Sequence, residues 1–582
     1  MSSVVHRSIR FINKSTRIFT AIHNSTRIQF INNSSPITRY TIPSMGISTT
    51  PQRIYHNTVK SSHHTTINSS QLPDIPLFQN ALKYLDNTAI VSNNTSYTYY
   101  RLLHDSLCMK QYLIDTTKSN NNDLNETSIS YLHDGSYEYV VIQWGIWLSG
   151  GIAIPLHSSL PPPQQQFLVH NSETKLLLVQ DKYYDGTKTS FQTNNVTITK
   201  FDLSSIRTQY SPQLGSIQNT PINMSRRAML IYTSGTTGQP KGVVSTHKMI
   251  NAQTSSLITA WHWSSNDAIL HVLPLHHVHG VINALACPLY TGAKVYFQPK
   301  FDPQIVWNKF ADLVDLTVFT AVPTIYSKLI QYYDECDKPT QQRFSAACKK
   351  FRLFMCGSAA LPGATLDRWK SISGHILLER YGMTECGMAL SNSYEVDKRR
   401  IGYVGQPLPG VQTKIQYTND NAENDKSGQL LLRGDNVFSE YWRLPDATQK
   451  EFTSDGWFMT GDIVECDADG NYKIVGRASV DIIKSAGNKV SSLEIEQVLL
   501  THPNIHEAAV VGVADDEYGQ LVSAIVVLKN TADKLTVDEL RVWCKSRLQT
   551  AEIPRKLLIV DSIPRNAMGK VNKKQLVKLF DQ

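Results

Sequence analysis

Met229-Leu-Ile-Tyr-Thr-Ser-Gly-Thr-Thr-Gly-Gln-Pro-Lys-Gly242 is the stretch whose chemistry decides the rest. An apolar strand, 229–231, runs straight into a turn packed with hydroxyl residues and glycines. Gly235, Gly238 and Gly242 let backbone N–H groups approach an anion. Ser234, Thr236 and Thr237 add hydroxyl donors, and Lys241 adds positive charge. No G-x-x-x-x-G-K-[ST] can be placed on it, so it is not a P-loop, and no G-x-G-x-x-G follows a strand. A flexible Ser/Gly linker is the plainer alternative. A linker, however, has no reason to set Pro-Lys-Gly in an apolar frame.

Outward from this turn, short apolar strands alternate with helical patterns from about residue 75 onward, the sign of α/β architecture. The charge-free run 139–156 approaches membrane-spanning length, but it contains Gln143, Ser149, Gly150, Gly151 and Pro155. It predicts a buried helix, a glycine turn and a short strand at 152–154 rather than a span. Leu176-Leu-Leu-Val179 predicts another buried strand. Asn-rich stretches at 119–125 and 192–195 predict surface loops, and 418–427 separates β-rich segments. Past Arg477 the pattern restarts. A helix should begin at Ser491 with Glu494 closing a capping box, followed by strands at 508–513 and 522–528 and a helix near 537–548. The expectation is a large N-terminal α/β domain of several subdomains, 74–477, joined by a hinge to a smaller α+β domain, 478–582. No internal repeat is evident.

The 582 residues carry 57 bases against 49 acids, a net charge of +8. Eight of those bases (Arg7, Arg10, Lys14, Arg17, Arg27, Arg39, Arg53, Lys60) precede the first acid, Asp74, so the remainder balances at 49 against 49. A basic pI therefore gives no argument for nucleic acid as a partner. Residues 1–73 hold 23 Ser or Thr and no acid. Arg7, Arg10, Lys14 and Arg17 fall within one sector of about 80° on a helix, opposite Val4, Val5, Ile9, Phe11, Ile12, Ile18, Phe19 and Ile22. This predicts a transit peptide read by the mitochondrial import machinery, with the matrix as destination. The C-terminal Leu579-Phe-Asp-Gln582 is no peroxisomal tripeptide. The eight cysteines form no C-x-x-C pair and predict reduced thiols, neither a disulfide frame nor a zinc site.

The glycine–hydroxyl turn resembles the signature phosphate loop of the acyl-adenylate-forming enzymes, among them acyl-CoA synthetases. Six further motifs follow in that family's order. They are Gly357-Ser-Ala-Ala-Leu-Pro362, Glu379-Arg-Tyr-Gly-Met-Thr-Glu385, Thr460-Gly-Asp462, Gly476-Arg477, Val480-Asp-Ile-Ile-Lys484 and Pro564-Arg-Asn-Ala-Met-Gly-Lys570. The resemblance implies that a carboxylate attacks the α-phosphate of ATP to give acyl-AMP and pyrophosphate, and that CoA then displaces AMP. A phosphorus centre collecting negative charge needs cations and oriented amides, which is what these motifs contain. By the same resemblance Thr233, the loop residues 234–238, Gln239, Pro240 and Lys241 would hold the β- and γ-phosphates. Thr384 would bind the α-phosphate and Glu385 would hold Mg²⁺. Tyr381 would stack on adenine against a wall of Gly357, Ser358 and Ala359. Asp462 would take the ribose hydroxyls, Arg477 the ribose or phosphate, and Lys570 would bridge the carboxylate and α-phosphate. The small domain would turn near Ala478-Ser479, exchanging Lys570 for a thioester-forming loop with Lys484 and Gly487. One departure stands out: where the family commonly has Lys-[Ser/Thr]-Gly-Gly, this chain has Lys484-Ser-Ala-Gly487, and a methyl at 486 should narrow the thiol path or forbid a positive φ.

Two segments bear on the acid. Pro274-Leu-His-His-Val-His-Gly280 lies where such enzymes line the acyl pocket, and His279 is the residue expected against the substrate. Three histidines without a carboxylate or cysteine cluster read as packed imidazoles rather than a metal site. Arg380, between Glu379 and Tyr381, has no use in a fatty-acid pocket, but it suits the distal carboxylate of a dicarboxylic acid. The competing reading is a structural pair of Arg380 with Glu379 or with an aspartate. Runs 273–286, 320–326, 379–390 and 480–496 resemble the malonate-activating members of the family. They imply malonate, and often methylmalonate, as the acid, with a short- or medium-chain fatty acid as the alternative. A non-catalytic nucleotide-binding descendant should have lost Glu385, Asp462 or Lys570, and all three are present.

Overall fold

A computed structural model describes residues 76–191, 195–218, 222–233, 239–417, 426–530, 534–565 and 571–581. The expected transit segment, loop residues Ser234, Gly235, Thr236, Thr237 and Gly238, and Lys570 lie outside the described residues.

Two mixed sheets form the large N-terminal α/β part. The first has six strands in the order Thr197–Lys200, Leu176–Val179, Ser128–Leu132, Ile152–Pro155, Arg227–Thr233 and Lys241–Thr246. All neighbours are parallel except the last pair, an antiparallel hairpin. Strand Leu176–Val179 is buried at every position, as its uninterrupted apolar run requires of a central parallel strand. The charge-free run at 139–156 divides as expected. Helix Tyr137–Leu148 is capped by Ser136, whose hydroxyl accepts from Tyr139 N at 3.4 Å. The chain then turns at Gly150, φ +73°, into the fully buried strand Ile152–Pro155. Among the described residues no helix is long and apolar enough to cross a membrane.

The second sheet has nine strands. At its centre Lys294–Phe297, Ala268–His271, Val318–Ala321, Leu353–Gly357 and Leu378–Met383 run parallel in that spatial order. Gly387–Ser391 returns antiparallel from Leu378–Met383. Because these strands are parallel, their C-terminal ends share one edge, where loops gather polar groups from residues far apart in sequence. Trp307, Phe344 and Trp369 from flanking helices pack with Phe354 of strand Leu353–Gly357, with centroids 5.1–5.7 Å apart.

A four-stranded antiparallel sheet, Gln412–Gln416, Ser427–Arg433, Phe458–Cys466 and Tyr472–Arg477, follows. It ends at Arg477, and the C-terminal five-stranded sheet begins at Ile482. That sheet contains the long hairpin Ile505–Asp515 with Gly519–Leu528, bracketing the expected strands at 508–513 and 522–528. Helix Ser492–Leu499 starts at Ser491 as expected, but the capping box is half made. Ser491 Oγ accepts from Glu494 N at 3.2 Å, whereas the Glu494 carboxylate leaves to pair with Lys473. A complete box stands instead at Thr536 and Glu539, before helix Val537–Cys544. All eight cysteines are free thiols, six of them buried.

Candidate active site

A cavity of about 1400 Å³ opens where the C-terminal edge of the nine-stranded sheet meets the four-stranded sheet and the C-terminal segment. Thr233, Lys241, His279, Gly357, Ser358, Ala359, Arg380, Tyr381, Thr384, Glu385, Asp462 and Arg477, all expected site residues, line it. They come from elements separated by up to 244 positions in sequence but adjacent in the sheets. Gln239 and Pro240 are not among its lining residues, nor are Lys484 and Gly487.

The strands on either side of the hydroxyl–glycine segment, Arg227–Thr233 and Lys241–Thr246, pair antiparallel. Thr233 stands opposite Lys241 in that register, and Thr233 Oγ1 donates to Lys241 O at 3.4 Å. Lys241 Nζ lies 3.1 Å from Glu451 Oε1 and 4.2 Å from the Tyr441 ring centroid. Tyr441 in turn donates to Glu385 Oε1 at 2.9 Å. Glu385 is buried and forms no ion pair among the described residues, and burial pushes its carboxyl up. A buried carboxylate lining the cavity is a donor suited to a hard divalent cation. Neither Tyr441 nor Glu451 sits in a recognisable motif, so sequence reading missed both.

On the opposite wall Asp462 accepts from Tyr381 Oη at 2.5 Å and from Arg477 Nε at 2.9 Å. The positions follow from antiparallel register, since Asp462 pairs with Arg477 across adjacent strands. Partial burial works against the charge of Arg477, and the Asp462 carboxylate outweighs it and raises the pKa. Its backbone N–H also donates to Asp481 Oδ2 at 3.0 Å, in the segment leading to the C-terminal sheet. Asp481 and Glu496 each lie 2.7 Å from Lys573 Nζ, an ammonium 9 % exposed. Lys473 and Glu494 form a second ion pair across the same junction.

Arg380 is 2 % exposed. Nη1 donates to Ser358 Oγ at 3.4 Å, while Nε and Nη2 have no hydrogen-bond partner among the described residues. Burial lowers its pKa to about 10. No Arg380–Glu379 ion pair forms. Glu379 accepts from Gly402 N at 3.3 Å, and burial raises it to about 7. Gly357 makes room for the guanidinium, since a Cβ there would stand 2.5 Å from Arg380 Nη1. His279 Nε2 is 2.7 Å from Thr320 Oγ1, and Nδ1 is 3.3 Å from Ser358 Oγ. Burial, then the charge of Arg380, holds His279 neutral. It opens a π-helical stretch, His279–Ala286, a geometry that recurs at functional sites.

The Lys484-Ser-Ala-Gly487 turn overturns one expectation. Ala486 adopts φ +49° and Gly487 φ +80°, so the methyl does not forbid the left-handed conformation. The turn closes a hairpin in which Lys484 pairs with Lys489, and Ala486 N donates to Tyr518 O at 2.9 Å. Those bonds offset a strain of about 1–2 kcal/mol.

The family model described as "AMP-binding enzyme" matches residues 77–442, and "AMP-binding enzyme C-terminal domain" matches 494–570. The chain is 43% identical over 535 residues to the mitochondrial malonate–CoA ligase ACSF3 of Homo sapiens, covering 87% of this chain and 92% of that protein. To the malonate–CoA ligase of Arabidopsis thaliana it is 38% identical, covering 90% and 91%. Among solved structures, ATP-bound MatB from Rhodopseudomonas palustris superposes with a TM-score of 0.78 at 28% identity, covering 87% of this chain and 99% of that one.

Proposed function

The chain belongs to the AMP-binding enzyme family, and from that premise we propose that it is a malonate–CoA ligase. It joins malonate to CoA at the expense of ATP, forming malonyl-CoA, AMP and diphosphate through malonyl-AMP. The single observation that carries the choice of acid is Arg380, a buried guanidinium in the cavity wall with two nitrogens unpartnered. The distal carboxylate of malonate supplies the missing partner, and a fatty acid leaves the cation bare, at a cost of about 3–5 kcal/mol. That predicts selectivity of a hundredfold or more, about the range of sites built around a polar group of the substrate.

Lys241 and the loop before it hold the β- and γ-phosphates, Thr384 the α-phosphate, and Tyr381 stacks on adenine beside Gly357, Ser358 and Ala359. Asp462 and Arg477 take the ribose by exchanging part of their mutual pairing for its hydroxyls. Glu385 would hold Mg²⁺, which would offset the charge of the phosphates. The proximal carboxylate oxygen of malonate attacks the α-phosphorus and diphosphate leaves. Lys570 bridges the two anions as they approach. The CoA sulfur then attacks the acyl carbon and AMP leaves. Between the halves, residues 478–582 turn about Ala478-Ser479 and replace Lys570 with the Lys484–Gly487 turn. The domain boundary at 477/478 is supported by the gap between the sheet ending at Arg477 and the one starting at Ile482. The protein acts in the mitochondrial matrix, delivered by its acid-free leader. Similarity to the mitochondrial human ligase supports this, and N-terminal sequencing of the mature protein tests it, an intact Met1 refuting import.

The deciding experiment is diphosphate release with malonate, methylmalonate, acetate and octanoate in turn. Malonate should give the highest kcat/KM, and a preference for octanoate would end the dicarboxylate reading.

A further inference from the structure

Thr320, 2 % exposed, stands near the C-terminal end of strand Val318–Ala321. The neighbouring strand ends at Gly357, just before Ser358, and the next carries Arg380. Across these three strands runs an unbroken file of polar atoms: Thr320 Oγ1, His279 Nε2 at 2.7 Å, His279 Nδ1 to Ser358 Oγ at 3.3 Å, and Ser358 Oγ to Arg380 Nη1 at 3.4 Å.

A neutral imidazole has one N–H and one acceptor nitrogen, so the file has two possible polarities. With the proton on Nε2, His279 donates to Thr320 and Nδ1 must accept the Ser358 hydroxyl hydrogen, which then points away from the cavity. With the proton on Nδ1, His279 donates to Ser358 Oγ. That oxygen already accepts from Arg380 Nη1, so the serine hydrogen becomes available to the cavity. Only this second polarity sets an O–H donor beside the unpartnered Nε and Nη2 of Arg380. An anion such as a carboxylate needs donors on every side.

We propose that Thr320 is a specificity-positioning residue. By donating its hydroxyl hydrogen to His279 Nε2 it holds the Nδ1–H tautomer, and so turns the Ser358 hydroxyl toward the distal carboxylate paired with Arg380. The proposal rests on the malonate reading above. It deepens that reading by assigning part of the acid selectivity to a side chain that lies one imidazole away from the substrate.

Thr320→Val keeps the shape of the side chain and removes the donor. Its KM for malonate should rise about tenfold, with kcat, the KM for ATP and kcat/KM for acetate unchanged. Thr320→Ser should stay within about twofold of the parent. In a Ser358→Ala background the valine should add no further loss, because the hydroxyl it orients is gone. Equal rises in KM for malonate and ATP, or a full tenfold loss retained in the Ser358→Ala background, would overturn the proposal. Thr320→Ala, measured the same way, serves if the valine does not fold. The unmodified enzyme run on the same panel separates the two readings. If it prefers octanoate, the malonate reading fails and this one with it. If it prefers malonate and Thr320→Val does too with unchanged KM, only the role of Thr320 fails.

Discussion

Two nitrogens of the Arg380 guanidinium stand buried and unpartnered, an arrangement that costs folding energy and is repaid only when an anion arrives. The free protein and its complex with a diacid should therefore respond in opposite ways to its removal. Arg380→Met should raise Tm in the absence of substrate, since an apolar chain fits the site without a charge to desolvate. The same variant should lose about a hundredfold or more in kcat/KM for malonate, with acetate little affected. Scanning calorimetry with and without malonate, beside diphosphate release, checks both halves. An Arg380→Met enzyme with unchanged malonate KM would remove Arg380 from the site. Sequence reading reached Arg380 because a cation in a family motif has few uses there. It could not reach Thr320 or Tyr441, whose hydroxyls matter only through the side chains they touch.

Elements set two further outcomes. The turn at 485–487 places an alanine at φ +49°, where glycine carries no steric cost. Ala486→Gly should relieve about 1 kcal/mol of local strain, seen as slower hydrogen exchange at the Ser485 amide, without altering diphosphate release in the first half-reaction. Helix Lys573–Val577 is one and a half turns long and is tied down by its first residue. The Lys573 ammonium pairs with Asp481 and Glu496 and donates to Ser492 Oγ at 2.6 Å. Lys573→Met leaves two part-buried carboxylates facing each other and should destabilise the C-terminal part by about 2–4 kcal/mol. Adding Glu496→Gln should recover a large part of that loss in urea melts. The capping motifs show how local chemistry competes with tertiary partners. The spacing Ser491–Glu494 is a good capping box by sequence, yet Lys473 from the preceding sheet outbids the backbone amide for the Glu494 carboxylate. At Thr536 no such cation intervenes, and the box closes.

At the scale of the whole molecule, pH and the proposed turn of residues 478–582 are the tests. His247 and His271 are buried, and burial lowers both to about 4. Below their ordinary value of about 6.5 the unfolded chain takes up protons that the folded chain refuses, so their contribution is lost as pH falls from 6.5 toward 4. Glu379, raised to about 7 by burial, acts in the opposite sense: the folded state binds its proton first, and that contribution fades as pH rises through 7. With two histidines against one carboxyl, the combined contribution of these three groups falls as pH drops from 6 to 5. Tm should decline over that interval, and a flat profile would contradict it. For the two half-reactions, Lys570→Ala should abolish malonyl-AMP formation yet spare thioester formation from supplied malonyl-AMP. Equal loss of both would argue against an exchange of Lys570 for the 484–487 turn.

By itself the sequence determined the α/β class, the buried helix–turn–strand at 137–155, the order of the motifs and the family that order identifies. Those features rest on local periodicity and on residue types whose chemistry is carried in a few consecutive positions. Only the tertiary structure decided that Arg380 lacks a carboxylate partner while Glu379 turns toward Gly402. It alone closed Lys241, Tyr441 and Glu385 into one cluster, and set Thr320 behind His279. The reason is geometric. Parallel strands bring their C-terminal ends to one edge whatever their separation along the chain, and a side chain's partners, protonation and orientation are set by what meets it there.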